Sequence, residues 1–254
     1  VFFAGGAADP GGGALGLAVS VAADRRIPFD ARKLIEAGEA VLRSRFAAGF
    51  TLAQAAIFGF FASYLATTQL IVSDIYDLAQ WFPFIFGGLA LAYGAATLVN
   101  PRLIDGLGLR RVLRYATLGL VLASLAFAVV ALATGGRPPL WLYLVSIMSI
   151  LLMHAWTSPN LNSAAMIPMG RVAGTAAAII GATTTLGGAA VGAFIDSRYD
   201  GSITPMAVAA VIVALAAFGL TRWSDAVWDR DAERQVLTPE EQSRAEAAAP
   251  LEVA

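Results

Sequence analysis

The most constraining feature of this chain is a series of six stretches that contain no Lys, Arg, Asp or Glu. They cover residues 54–72, 81–100, 115–136, 138–170, 172–195 and 201–221. A helix needs roughly 20 apolar residues to cross a hydrocarbon core about 30 Å thick, and each stretch meets or nearly meets that length. A water-soluble protein would not bury so much uninterrupted apolar sequence. The pattern therefore predicts an all-α, polytopic membrane protein with six transmembrane helices.

The composition excludes several kinds of functional site. Only 14% of the residues are charged, whereas soluble domains carry about 25%. The chain has no cysteine and one histidine, which excludes disulfides, thiolate metal sites and multi-histidine metal centres. The six stretches contain no paired carboxylates and no nucleophile–base pair, so an intramembrane enzyme is the least favoured class. We expect no catalytic residue, no metal, no cofactor and no nucleic-acid partner.

The basic residues predict the orientation in the membrane. Fifteen of the 17 lie before the first stretch, after the sixth, or in the connections after the second and fourth. Only Arg137 and Arg198 fall on the other side. Because basic loops remain in the cytoplasm, both ends of the chain are predicted to be cytoplasmic. We expect a multi-pass protein of the cell membrane (inner or plasma), with the lipid bilayer as its main surroundings.

The chain divides into four regions by composition. Residues 1–23 contain six glycines and no convincing span, so we expect a poorly structured remnant of a longer protein. Residues 24–45 are predicted to be a basic cytoplasmic linker with a short amphipathic helix at the membrane surface. Residues 46–222 are the predicted six-helix transmembrane domain. Residues 223–254 are acidic and rich in alanine, which is typical of a solvated cytoplasmic tail.

Glycines recur at regular spacing in two of the stretches. Gly174, Gly181 and Gly188 are seven residues apart in the fifth stretch, and Gly87 and Gly94 repeat the spacing in the second. Small residues let helix backbones approach closely in lipid, where apolar packing alone gives no preference for protein over acyl chain. We therefore expect both stripes to lie at contacts between helices.

His154 is the one ionisable side chain well inside a predicted span. It lies about 20 Å along its helix from Trp141, near the middle of the membrane. An ionisable group at that depth is a functional hypothesis by default. The alternative is a neutral imidazole that shares a hydrogen bond with a neighbouring helix. No carboxylate lies within any of the six stretches, although proton-driven exchange usually requires one.

The loop between the second and third stretches resembles a known signature. Residues 105–111 read Asp-Gly-Leu-Gly-Leu-Arg-Arg, which is similar to a degenerate copy of the Asp-Arg-x-Gly-Arg-Arg signature of major facilitator superfamily transporters. In that family the loop joins the second and third helices of each six-helix half, as it does here. The resemblance implies a tight glycine turn, a carboxylate near helix N-termini and arginines at the anionic inner leaflet. The matching motif residues are Asp105, Gly108, Arg110 and Arg111.

A second block resembles one branch of that family, the bicyclomycin/chloramphenicol-resistance (Bcr/CflA) drug exporters. Their Pro-Asn…Ala-Gly-Thr-Ala-Ser-Ala…Gly block is matched by Pro159, Asn160, residues 173–178 and Gly181. Their following outer loop is matched by residues 200–202 with Pro205 and Met206, and their seventh and eighth helices by Phe61, Tyr64, Tyr76, Leu78, Phe82 and Phe86. The resemblance covers roughly residues 25–222 and corresponds to the C-terminal half of such a transporter. Thr68-Gln69 replaces the family's usual Ser-Pro, and Thr183 stands where glutamine is common.

The resemblance implies a transporter that, when complete, exports lipophilic small molecules by proton antiport. It also implies a midplane cavity between two six-helix halves, lined here by the first, second, fourth and fifth spans. An apolar cavity with a few hydrogen-bonding groups suits lipophilic, weakly polar compounds. The candidate polar groups in it are Gln54, Tyr64, Gln69, Tyr93 and His154.

The partner of these six helices stays open at this point. The family supplies an N-terminal six-helix half, which this sequence does not show, and a second copy of the chain is the other candidate. A non-transporting membrane scaffold, or a half-transporter subunit that acts only with a partner half, is the alternative function. The glycine stripes would then form the subunit interface.

Overall fold

Six long helices make up the computed structural model, which describes residues 44–235, except for the side chains of 170–172 and 227–235. The helices are α1 Arg45–Asp74, α2 Phe82–Leu107, α3 Leu109–Ala133, α4 Leu140–Met166, α5 Ala173–Asp196 and α6 Thr204–Gln235. Short 3₁₀ turns cover Ala79–Trp81 and Ile167–Val172. All six helices are long and apolar enough to cross a membrane. The predicted all-α fold with six spans is confirmed, whereas the predictions for 1–23 and for nearly all of 24–45 fall outside the described residues.

Single residues define the ends of several helices. Ser44 begins α1, because its side chain accepts a hydrogen bond from the Ala47 N–H at 3.2 Å. Gly108 ends α2 and begins α3 with a φ of +80°. Glycine adopts that conformation without the steric cost that a Cβ would add. The chain therefore reverses between two membrane helices at one residue.

Helix α6 continues beyond the predicted span, which was expected to end at residue 222. It runs to Gln235, so the first part of the predicted polar tail is helical. Ser224 and Asp225 are buried, and a Cβ at Gly49 of α1 would overlap the Ser224 hydroxyl. Close packing against α1 explains why the helix continues where the composition becomes polar. The rest of the predicted tail, residues 236–254, lies outside the described part.

Helix α1 is the centre of the bundle. It packs against α4, α5 and α6, and α3 completes the bundle by packing against α4 and α6. The largest fully buried side chains between these helices include Phe50, Ile57, Phe127, Tyr143 and Ile147. In contrast, α2 buries only Leu89, Ala96 and Asn100 among its described side chains. The fold therefore leaves most of α2 facing outward.

The glycine stripes pack in only one place. A Cβ at Gly188 would lie 3.2 Å from the Ala55 carbonyl oxygen, and one at Gly192 would lie 3.0 Å from the Gly59 carbonyl oxygen. The backbones of α1 and α5 therefore nearly touch. Gly174, Gly181, Gly87 and Gly94 meet no other helix of the described chain, since nothing in it lies within 4 Å of a Cβ at any of them. In the first half of α5 it is Ala176 and Ile180 that face the core.

Candidate functional site

Three rings from three helices stack near the middle of the bundle. Phe61 of α1 stacks on His154 of α4, with ring centroids 4.8 Å apart and an interplanar angle of 14°. Phe61 also stacks on Tyr93 of α2 at 5.5 Å and 25°. The Tyr93 hydroxyl lies 3.2 Å from His154 Nδ1. The stack and this hydrogen bond fix α1, α2 and α4 relative to one another around a histidine that is 2% exposed.

The stack continues along α1 and α2. Tyr64 is buried and lies 6.0 Å from Phe61 and 6.1 Å from Phe86, measured between ring centroids. Phe86 in turn lies 5.3 Å from Phe82. We call this set the aromatic cluster; its members are Phe61, Tyr64, Phe82, Phe86, Tyr93 and His154. Because contacts between aromatic rings stabilise beyond area burial alone, the cluster contributes to the packing of α1, α2 and α4.

Gln54 extends the site towards the amino-terminal end of α1. Its Nε2 donates to the Ser158 hydroxyl at 2.7 Å. Ser158 lies four residues after His154, so the two side chains share one face of α4. Gln54 is 7% exposed, and its Oε1 is buried with no hydrogen-bond partner in the described part of the chain. The amide therefore has an unused acceptor beside the aromatic cluster.

The second ring nitrogen of His154 is also unpaired. Nε2 is buried without a hydrogen-bond partner among the described residues, although the Ile57 backbone is close enough to interact with the ring. If Tyr93 donates to Nδ1, the neutral ring carries its proton on Nε2, which then points to the Ile57 backbone without reaching full hydrogen-bond geometry. Buried polar atoms in native proteins nearly always have a partner, which can be water or a ligand. Gln54 Oε1 and His154 Nε2 are thus two positions where a bound molecule would supply the missing hydrogen bond.

Two amide side chains join α2 to α4, on the side of the aromatic cluster that lies towards the C-terminal end of α2. Asn160 Nδ2 donates to Asn100 Oδ1 at 2.9 Å, and Asn100 Nδ2 donates back at 3.3 Å. Trp156 Nε1 donates to the Ala96 carbonyl at 2.8 Å. Asn160 follows Pro159, which lies inside α4 and removes one helical N–H. The Pro159-Asn160 motif therefore lies at a helix contact, and its partner Asn100 is visible in the sequence only as an amide at the end of an apolar stretch.

The loop motif contributes one ion pair. Arg110 Nε lies 3.4 Å from Asp225 Oδ1 of α6, and its Nη2 donates to the Asp225 carbonyl at 3.3 Å. Arg222 Nη1 lies 3.9 Å from the other carboxylate oxygen. Asp105 and Arg111 are exposed. Only the Arg222-x-x-Asp225 spacing could have drawn attention to Asp225, because its surroundings read as a polar tail.

Two hydroxyl–carboxylate contacts tie α1 to the far end of α5. Ser63, which is fully buried, donates to Asp196, and the Tyr199 hydroxyl donates to Asp74 Oδ2 at 3.2 Å. Burial and the nearby Asp74 carboxylate raise the pKa of Tyr199 to about 12. Asp196 follows the fifth uncharged stretch in sequence but is the last residue of α5. It meets α1 about three turns before that helix ends, so a carboxylate does reach into the bundle.

The structure brings four of the five predicted polar groups together. Tyr64, Tyr93 and His154 belong to the aromatic cluster, and Gln54 adjoins it through Ser158. Gln69 is exposed and makes no contact with the cluster. Phe61 is the ring that links the others. Among the described residues, no group of three His, Cys, Asp or Glu could hold a metal ion.

Six helices that are long and apolar enough to cross a membrane define a polytopic membrane protein. The chain is similar to a protein of Bacillus subtilis (strain 168) described as the uncharacterised MFS-type transporter YdgK, with 28% identity over 214 residues. The alignment covers 82% of this chain and 52% of that protein, so the chain spans about half the length of the relative. No family model matches the chain, and no solved structure matches it.

Proposed function

We propose that these six helices are one half of a major facilitator transporter of the Bcr/CflA type. In this proposal the aromatic cluster and Gln54 form this half's wall of the substrate cavity. The observation that carries it is the pair of buried, unpartnered polar atoms, Gln54 Oε1 and His154 Nε2. Both lie beside stacked rings on the helices that the family resemblance assigns to the cavity. The half-length alignment with an MFS-type transporter supports the same reading.

The chemistry of this wall suits a lipophilic, weakly polar molecule. Flat aromatic faces favour planar or aromatic ligands, which they contact with dispersion and stacking. Gln54 Oε1 would accept a hydrogen bond from an amide or hydroxyl, and His154 Nε2–H would donate one to a carbonyl or nitro oxygen. A few such groups in an apolar site orient a ligand without requiring charge. Drug-like amides and alcohols fit this description.

A partner half would cover the outward faces of α2 and α5. Leu91 and Leu98 of α2 are 77% and 75% exposed. Lipid alone can cover apolar side chains of this kind. Exposed glycines are different, because a smooth glycine face gains most from close contact with another helix. Gly87, Gly94, Gly174 and Gly181 lie open on these two helices. We infer that an N-terminal six-helix half, or a second copy of this chain, packs there.

Proton-coupled export belongs to the proposal only for the complete transporter. Within the described spans, carboxylates occur near helix ends, at Asp74, Asp105, Asp196 and Asp225. Among the described contacts, none of these carboxylates bonds to a member of the aromatic cluster. The coupling groups are therefore assigned to the other half. A half-transporter subunit that is inert without its partner is the second candidate, favoured by the half-length alignment.

Ligand binding tests the cavity assignment. The chain, fused behind a matching N-terminal half, is purified and titrated with a chloramphenicol-like amide. Gln54→Leu removes the unpartnered Oε1 together with the hydrogen bond to Ser158, and His154→Leu removes the imidazole together with its contacts to Tyr93 and Phe61. We expect each to weaken binding by about tenfold, as loss of one hydrogen bond of about 1.5 kcal/mol does.

Gln69→Leu is the matched control, since Gln69 lies on the same helix but is exposed and apart from the cluster. It should bind the compound as the unmodified fusion does. Equal binding by all four proteins would remove the cluster from the cavity. Equal weakening by all three variants would indicate a general effect on the fold.

A further inference from the structure

A groove separate from the aromatic cluster lies between α5 and α6. It has a volume of about 460 Å³ and is formed where α5 ends and α6 begins. Ile195 and Val213 are buried at its floor, whereas Phe194 and Ile212 stand at its rim, each 62% exposed. The other lining residues are Val191, Arg198, Thr204, Pro205, Val208 and Ala209.

One cation stands at the end of this apolar groove. The Arg198 guanidinium lies 4.8 Å from the centre of the Phe194 ring, so the ring holds it over the groove. No described carboxylate lies within ion-pairing distance of Arg198. The nearest acidic residues in sequence are engaged elsewhere, because Asp196 accepts from Ser63 and Asp200 accepts from the Ser202 N–H. The groove thus combines apolar walls with one guanidinium that forms no ion pair among the described residues.

The position of the groove in the membrane matches these two properties. Arg198 follows the last residue of α5, where a membrane helix meets the headgroup region. The lining of α6 from Thr204 to Val213 runs about 14 Å along the helix axis, into the hydrocarbon region. The basic-residue distribution predicts that this end faces the outer leaflet. A ligand here would place an anion at Arg198 and an apolar chain along α6.

The groove is too small to enclose a helix. A helix with its side chains is about 10–12 Å wide, so a 14 Å segment occupies on the order of 1,100 Å³. The groove offers less than half of that volume. A single acyl chain is narrow enough to lie in it.

We propose that this groove binds one acyl chain of an anionic phospholipid, with the lipid phosphate paired to Arg198. Opposite charge favours that pairing, and a basic side chain at a membrane surface commonly attracts anionic headgroups. The acyl chain would contact Val208 and Ile212, both exposed on α6. This lipid site does not depend on the proposed transport function, because the groove would be the same if the protein were a non-transporting scaffold.

Photolabelling in nanodiscs tests the site on the full chain. The probe is phosphatidylglycerol with a diazirine on one acyl chain, and labelled peptides are mapped by mass spectrometry. We expect labels to concentrate on residues 191–213. Arg198→Gln should reduce that labelling by about fivefold, the effect of one basic residue near a membrane surface. Arg198→Lys should keep most of it.

Arg137→Gln is the matched control, because Arg137 is the other basic residue predicted on this side and does not line the groove. A second pair tests the walls: Ala209→Phe fills the groove, whereas Ala216→Phe adds the same ring to an exposed position of α6 outside it. Only Ala209→Phe should reduce labelling. Monodisperse elution is required of each variant.

Several results would overturn the proposal. Labels spread evenly over exposed apolar positions would show ordinary lipid contact. Labelling unchanged by Arg198→Gln, or equal with a zwitterionic phosphatidylcholine probe, would remove the phosphate from the site. Because the chain has no cysteine, Ala209→Cys would give disulfide-linked dimers in the membrane only if a second copy occupied the groove.

Discussion

The Tyr93 hydroxyl and His154 Nδ1, 3.2 Å apart, are the polar contact at the centre of the α2–α4 interface. Both rings also stack on Phe61, so removing the hydroxyl leaves the aromatic contacts in place. Tyr93→Phe should therefore cost about 1 kcal/mol of stability, the usual net worth of one hydrogen bond. Unfolding of the purified chain in detergent measures the change.

Tyr115→Phe is the control, because Tyr115 is 59% exposed. Equal stability of the two variants would mean that the contact contributes nothing.

The two amides of α2 and α4 give a second prediction. Asn100→Ala or Asn160→Ala removes both hydrogen bonds between the two amides, although Asn160 Nδ2 keeps its bond to the Trp156 carbonyl when Asn100 is replaced. Each variant should cost about 1–3 kcal/mol. The double variant should cost little more than either single one, since the interaction is already lost. A double-mutant cycle in detergent measures the coupling. Additive costs would contradict the reciprocal hydrogen bonds.

A third prediction concerns the glycines of α5. Gly188→Leu places a side chain where Ala55 and Gly59 of α1 leave no room, and overpacking of this kind costs about 1–3 kcal/mol. Gly188→Ala should cost less but not nothing, because even a Cβ would lie 3.2 Å from the α1 backbone. Gly181→Leu is the control and should be tolerated in the isolated chain. Comparable melting temperatures for Gly181→Leu and Gly188→Leu would refute the close α1–α5 contact.

How much the sequence predicts depends on whether a feature is local. The six spans follow from uncharged length alone, and His154 stands out because an ionisable group inside a span is rare. Contacts between residues far apart in the sequence cannot be predicted in this way. Heptad spacing marks Gly181 and Gly188 equally, but only Gly188 meets α1. Phe61 stands out only through the family resemblance, and its contact with His154 appears only in the folded structure. Ser158 looks like an ordinary span residue until folding brings it to Gln54. Asp225 lies in a stretch whose composition is typical of a polar tail, and only the folded structure shows that it pairs with Arg110.

The orientation is tested separately, since it rests on the basic residues. Gln80 and Ala226 are exposed at opposite ends of the bundle, and single cysteines there are the first in a cysteine-free chain. An impermeant maleimide added to intact cells should label Gln80→Cys and not Ala226→Cys. Lysed cells, in which both should react, provide the control. The reverse labelling pattern would invert the topology.

The central claim, that these six helices are one half of a transporter, is tested most directly by drug efflux from cells that lack their own pumps. Three proteins are compared: the chain alone, the chain fused behind a matching N-terminal half, and that fusion with His154→Leu. We predict no efflux of a chloramphenicol-like compound by the chain alone, efflux by the fusion that a protonophore abolishes, and a loss of about tenfold with His154→Leu. Robust, protonophore-sensitive efflux by the chain alone would contradict the account and would point to a working homodimer.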